Sequence, residues 1–296
     1  MTRAFQGYIY LTLAMITVGS TVIASKIIAS GLAPFTATAL RFAAAFPFFL
    51  ILMHLTRSRL PRVSRHDWLI LVTQAGAGSV GYTTLLISGL QLTSAANAGV
   101  IIGTLPVVSA VISILILGER PHRFLLVAIA LAAFGVFSIA VTPGASAGGS
   151  LAGNALILGA VVCEGLFILL NKRMRTEIPP LTQSSLMTGI GFLVAGIPAL
   201  FENHAASGFS AAALSAVLYY ALVPTVGGFI LWYAGAERVS GSEASLFTAI
   251  APVSAVILAF VLLGEPVGLH QIFGVACVLA AILGLGFSAL VRVRRA

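Results

Sequence analysis

The chain has 296 residues, 59% apolar and only 8% charged, with a mean hydropathy of +1.08 and a formal net charge of +8. A soluble domain carries roughly 25% charged residues, so this composition cannot dress a water-exposed surface and the bulk of the chain belongs in lipid. The apolar stretches are continuous rather than alternating, which excludes a β-barrel and predicts an all-α integral membrane protein.

In chain order, ten apolar runs can be drawn: 5–29, 34–55, 68–90, 94–117, 123–142, 151–172, 181–201, 213–236, 240–263 and 269–291. Each is close to the ~20 residues a spanning helix needs. The first run has the look of a secretory leader, with Arg3, an apolar core and small residues around Val22-Ile23-Ala24. It also has a twin in mid-chain: GYIYLTLAMITVGSTVIASK (Gly7–Lys26) matches GNALILGAVVCEGLFILLNK (Gly153–Lys172), so a retained span is expected. Cys163 and Cys277 both fall inside apolar runs and are expected as buried free thiols.

That twin belongs to a repeat of the whole chain. PVVSAVISILILGE (Pro106–Glu119) returns as PVSAVILAFVLLGE (Pro252–Glu265), an offset of 146 residues. The same offset relates Pro34 to Pro180, Thr36 to Thr182, Gly81 to Gly227, Gly89 to Gly235, Ser94 to Ser240 and Ala98 to Ala244. The boundary falls in the uncharged turn-forming stretch TPGASAGGS (Thr142–Ser150), which divides the chain into units 1–145 and 146–296.

Charge placement sets the expected orientation. Fourteen of the 16 Lys and Arg residues sit at the N-terminus, in loops 56–67, 118–123, 172–177 and 237–238, and in the C-terminal tail. The intervening loops (29–33, 90–94, 142–150, 202–212 and 264–269) carry none. This is the positive-inside pattern of ten spans with both termini cytoplasmic, and it accounts for the net charge without nucleic-acid binding. Five spans per unit is an odd number, so the second unit enters the membrane inverted. Inverted repeats are a transporter architecture, with a site between the halves that opens alternately to either side.

Three stretches carry a family resemblance: ALRFAAA (Ala39–Ala45), LQLTSAANAGVIIGTLPVVSAVISILILGE (Leu90–Glu119) and its copy AERVSGSEASLFTAIAPVSAVILAFVLLGE (Ala236–Glu265). The chain resembles the EamA family of the drug/metabolite transporter superfamily, and within it the YddG-type bacterial exporters of aromatic and other amino acids. The resemblance implies ten helices around a central cavity, export of a small metabolite and an inner-membrane location. One departure is that the second unit has Met187 where the first has Arg41.

Candidate transport residues fall in two groups. Pro106 and Pro252, near mid-span, are expected to kink their helices as gates or to shape static packing. Glu119 and Glu265, at the exits of those spans, are expected to latch one gate each or to be solvated. For substrate binding, Glu164 is the one acid deep inside a span, suited to an ammonium, a proton or a bond to a neighbouring helix; its repeat counterpart is Val18. Arg41 and Lys26 are buried cations that either receive a carboxylate or hold helix C-terminal carbonyls. Gln74, Gly78 and Tyr82 share a helix face, with Ser79 nearby; Gly228, Trp232 and, one turn round, Phe229 share another, with Tyr233 alongside. Such aromatics beside hydroxyl and amide groups suit a ligand with an apolar body and polar ends, or else an interfacial belt.

The five histidines lie at loops or span ends without metal spacing, and no HExxH, nucleophile elbow or Walker sequence occurs. No metal, cofactor or enzyme activity is expected. The partners are a small-molecule substrate and membrane lipid, with a monomer allowed and the oligomeric state open. Two energy sources stand: the substrate's own gradient, which is simpler with so few buried acids, or protons carried by Glu164. An integral-membrane enzyme or lipid-handling protein would need clustered catalytic groups, and a passive channel would conduct in a planar bilayer.

Overall fold

A computed structural model describes residues 3–58, 60–117, 123–140, 150–202, 210–239 and 247–293. The expected latch Glu119 and most of the 142–150 boundary lie outside the described residues. The described residues are helical throughout, with no strands.

The helices are α1 (Arg3–Ala29), α2 (Pro34–Leu55), α3 (Arg65–Thr73), α4 (Tyr82–Leu92), α5 (Ala95–Ile102), α6 (Leu105–Leu117) and α7 (Arg123–Ala140) in the first half. In the second half come α8 (Leu151–Lys172), α9 (Pro180–Ala199), α10 (Ala211–Tyr220), α11 (Gly228–Ala236), α12 (Ile250–Leu263) and α13 (Leu269–Val293). Their starts are written in the sequence. Pro34 and Pro180, a repeat pair, open α2 and α9, where a missing N–H costs nothing. Ser64 and Ser210, another pair, cap α3 and α10 by accepting from the N–H of Asp67 and Ala213.

Among the described residues, six continuous helical stretches are long and apolar enough to cross a membrane: Phe5–Ala29, Pro34–Leu55, Arg65–Leu92, Leu151–Asn171, Pro180–Ala199 and Ala211–Ala236. They expose apolar side chains outward, among them Leu55, Leu69, Leu193 and Ile197, as a lipid-facing surface requires. Two of the six contain a π-helical segment, Gln74–Gly81 between α3 and α4 and Ala221–Gly227 between α10 and α11. They occupy matching positions of the repeat. Such wide turns are rare and concentrate at functional sites.

The fourth run, expected as one kinked span, is instead two helices separated at Gly103–Thr104. Pro106 cannot donate to the preceding turn, and α6 restarts with Val107 and Val108 donating to the Thr104 carbonyl. Pro252 likewise lies in the first turn of α12. The two prolines therefore mark helix beginnings rather than mid-helix kinks. A Cβ at Gly103 would lie 2.8 Å from the Pro252 Cβ, so the break before the first copy of the repeated phrase meets the start of the second.

The packing exchanges partners as a two-fold relation demands. α2 packs on its own copy α9, and α7 on its copy α13; α4 packs on α8 just as α1 packs on α10 and α11. Contacts between loops also sort them into two ends. One is the basic end, where Asp67 meets Arg175 and Thr176 and Gly7 approaches Arg238. At the other, base-free end, Glu202 meets Phe35, Glu265 meets Ala95, and Ser150 meets Leu92.

Candidate functional site

A cavity of ≈ 260 Å³ lies between α2, α8, α9 and the two π-helical segments. Exposed Asn171 and Pro180, with Gln183, line it towards the basic end, where Gln183 Nε2 donates to Asn171 Oδ1 at 2.6 Å. Deeper, its lining is built from repeat-related pairs: Ser79 with Thr225, both on π-helical segments, Phe42 with Thr188, and Arg41 with Met187. The cavity is thus shaped by equivalent positions of both halves. Phe49, Phe167 and Tyr233 supply an aromatic wall, and Phe229 packs edge-on to Phe49 at 5.4 Å and tilted against Tyr233 at 4.5 Å.

A second chamber of ≈ 180 Å³ is lined by Val18, Thr21, Tyr82, Ile102, Leu105, Val161, Glu164 and Tyr220. Val18 and Glu164 are again repeat counterparts. Glu164 is partly accessible because it faces this chamber. Tyr220 links the two spaces: its ring lies 4.4 Å from the Arg41 guanidinium, which rests on Phe42 at 4.3 Å on the other side. Held by these two rings, Arg41 is 8% exposed and its Nε has no hydrogen-bond partner. The charges of Arg41 and Glu164 act on each other, yet among the described residues they form no ion pair.

The other sequence candidates divide. Tyr82, Ser79 and Tyr233 line the two spaces. Gln74 does not; it is buried, and its Nε2 donates to the Phe167 carbonyl at 3.0 Å, tying its π-helical segment to α8. Gly78 faces the same helix, where a Cβ would come within 2.5 Å of the Phe167 Cβ. Trp232 packs with Ala14, Met15 and Ala251, and Gly228 faces Thr17, so this pair faces α1 while Phe229 faces α2. The expected shared face splits because Phe229 lies ~100° round the helix from Gly228 and α11 runs between α1 and α2. Lys26 takes its structural alternative: Nζ donates to the carbonyls of Leu90 and Thr93 at 2.6 and 2.7 Å, closing the C-terminal end of α4.

Those bonds belong to a seal at the base-free end. The phrase Gly264-Glu265 explains itself there: Gly264 ends α12 in the left-handed region (φ 66°), and the Glu265 N–H returns to the Ala259 carbonyl. The corner aims the Glu265 carboxylate across to the other half, where it accepts from the N–H groups of Ala95 and Ala96 at 2.9 Å each, at the start of α5. Glu202 does the same for α2, accepting from the N–H of Phe35 (2.8 Å) and Thr36 (2.7 Å) and from Thr36 Oγ1 (2.8 Å). Each carboxylate meets unpaired N–H groups and the positive end of a helix dipole. Glu202, Tyr220, Thr225 and Thr188 were not singled out from sequence; the repeat register would have pointed to Thr225 through Ser79 and to Thr188 through Phe42.

Comparison with known proteins decides the class. The EamA-like transporter family model matches residues 5–141 and again 151–287. The chain belongs to the EamA-like transporter family. It is 35% identical over 284 residues to the uncharacterized transporter YetK of Bacillus subtilis, covering 93% of this chain and 85% of that protein. A probable terminal-alkyne amino-acid exporter of Streptantibioticus cattleyicolor is 30% identical over 200 residues, 66% of this chain and 65% of that protein. A crystal structure at 22% identity superposes with a TM-score of 0.59 over 99% of this chain and 98% of that one, which shows a shared fold. The protein is a membrane transporter with a small-molecule substrate, not an enzyme.

Proposed function

We propose that this chain exports amino acids, aromatic and other neutral ones, or similar small metabolites across a bacterial inner membrane by alternating access. In this reading it has ten spans in two inverted units, 1–145 and 146–296, with both termini cytoplasmic. The carrying observation is a cavity lined by matched positions of the two halves, reaching the basic end while carboxylates bind helix starts at the other. With the basic end cytoplasmic, this is a cytoplasm-facing state awaiting cargo. At ≈ 260 Å³ the space lies below the ~300–1,000 Å³ of drug-sized pockets, which suits a metabolite of amino-acid size. The exporter named for a terminal-alkyne amino acid supports the substrate class.

Transport is driven by the substrate's own gradient, since among the described residues Glu164 is the one acid lining either space. Purified protein in liposomes should equilibrate radiolabelled amino acids without an ion gradient. No flux across a broad metabolite panel would refute the transport reading. Accumulation of substrate driven by an imposed pH gradient would replace the facilitative mechanism by proton coupling.

A further inference from the structure

The two halves of this molecule place equivalent side chains around one axis, but the charges break the equivalence. Arg41 has Met187 as its counterpart, and Glu164 has Val18; all four line the two spaces. A frame built by duplication thus carries a cation from one half and an anion from the other. Neither charge is tied into the backbone as the charges at the helix ends are. Lys26, Glu202, Glu265 and Asp67 are each satisfied by backbone groups. Arg41, by contrast, leaves a buried Nε unpaired, and Glu164 accepts no hydrogen bond among the described residues.

An unpaired buried charge costs several kcal/mol, and Arg41 lies against Tyr220, which also lines the chamber that Glu164 faces. Here the guanidinium lies against the Phe42 and Tyr220 rings, and the carboxylate faces the chamber that Tyr82 also lines. A ligand bearing both charges complements both groups: a guanidinium takes a carboxylate by two parallel bonds, and a carboxylate takes an ammonium.

Resting on the exporter reading above, we infer that Arg41 and Glu164 together read a zwitterion, Arg41 binding the substrate carboxylate and Glu164 its ammonium. The substrate is then a free α-amino acid whose side chain lies against Phe49, Phe167 and Tyr233. Amines lacking the carboxylate leave Arg41 unpaired. Acids lacking the amine leave Glu164 unpaired. Selectivity follows from those two penalties rather than from side-chain shape.

The test is counterflow in proteoliposomes with alanine, leucine, phenylalanine and tryptophan, each competed by its decarboxylated amine and its deaminated acid. Wild-type protein should prefer the zwitterion over either analogue by about tenfold or more, as expected for a lost charge-assisted pair. Arg41→Gln should lower amino-acid flux and erase the preference over the amine alone; Glu164→Gln should erase the preference over the acid alone. Ligand-induced thermal shifts in detergent, with Arg41→Lys and Glu164→Asp as folded controls, separate lost binding from lost protein. Equal wild-type acceptance of amine, acid and amino acid overturns the inference. So do variants that weaken all three ligands alike. Flux of sugars or nucleosides without amino-acid flux also overturns it while the exporter reading stands. No flux of any solute removes both.

Discussion

The two ends of this bundle are closed by different means. At the end whose loops carry no Lys or Arg, two carboxylates and the Lys26 ammonium reach the backbone groups of other helices: Glu265 to α5, Glu202 to α2 and Lys26 to α4. Two of these bonds join the halves of the repeat. At the basic end, among the described residues, Asp67 alone makes such a link, accepting from the N–H groups of Arg175 and Thr176 and from Thr176 Oγ1. The cavity reaches the surface beside it. On the alternating-access reading proposed above, the sealed end holds the bonds that must break before the other face can open, and the open end has little left to break.

Removing the seal is the strongest way to break that contrast. Glu202→Gln with Glu265→Gln removes both charges from the helix starts and should shift the access equilibrium by about 3 kcal/mol, or ~100-fold, towards the opposite opening. Ala96 is buried at the seal. A cysteine placed there, with Cys163 and Cys277 replaced by alanine, should label much faster with an impermeant maleimide in the double variant. Unchanged labelling would show that the carboxylates are ornaments of the corner and not the lock.

Much of this arrangement was legible in the sequence, and the parts that were not share a cause. Apolar content, the 146-residue register and loop charge need only local chemistry, and they led to a duplicated helical transporter. Arg41 and Glu164 stood out because charge in an apolar run is costly wherever it points. Glu202 stayed hidden because a carboxylate in a loop looks solvated until the helix start it caps is known, 166 residues away in the case of Thr36. The π-helical segments were invisible for a related reason: Gln74–Gly81 and Ala221–Gly227 keep the apolar pattern while widening the turn. Gln74 and Gly78, within the first segment, still face α8, while Trp232 and Phe229, in regular α11, part because that helix runs between α1 and α2. The break at Gly103 was readable from Pro106 only as a kink, since proline states that a bond is missing and not whether the helix resumes.

Lys26→Met tests the same seal from its other charge. The side chain keeps its bulk, but the carbonyls of Leu90 and Thr93 lose their donor, a cost of about 1–2 kcal/mol and hence roughly tenfold faster labelling at position 96. The effect should be smaller than that of the double carboxylate variant because Lys26, Leu90 and Thr93 all belong to the same half.

The smallest effect on access is expected from Asp67→Asn, and its smallness is the point. The asparagine retains one acceptor for Thr176 but leaves the N–H groups before α9 less well held, so a loss of about 1 kcal/mol should lower Tm by ~2–4 °C. Labelling at position 96 should not change, because Asp67 braces an end that is already open and does not bear on the seal. If Asp67→Asn instead moved labelling as far as Lys26→Met, the two ends would be one coupled lock, and the division of labour between them would have to be abandoned.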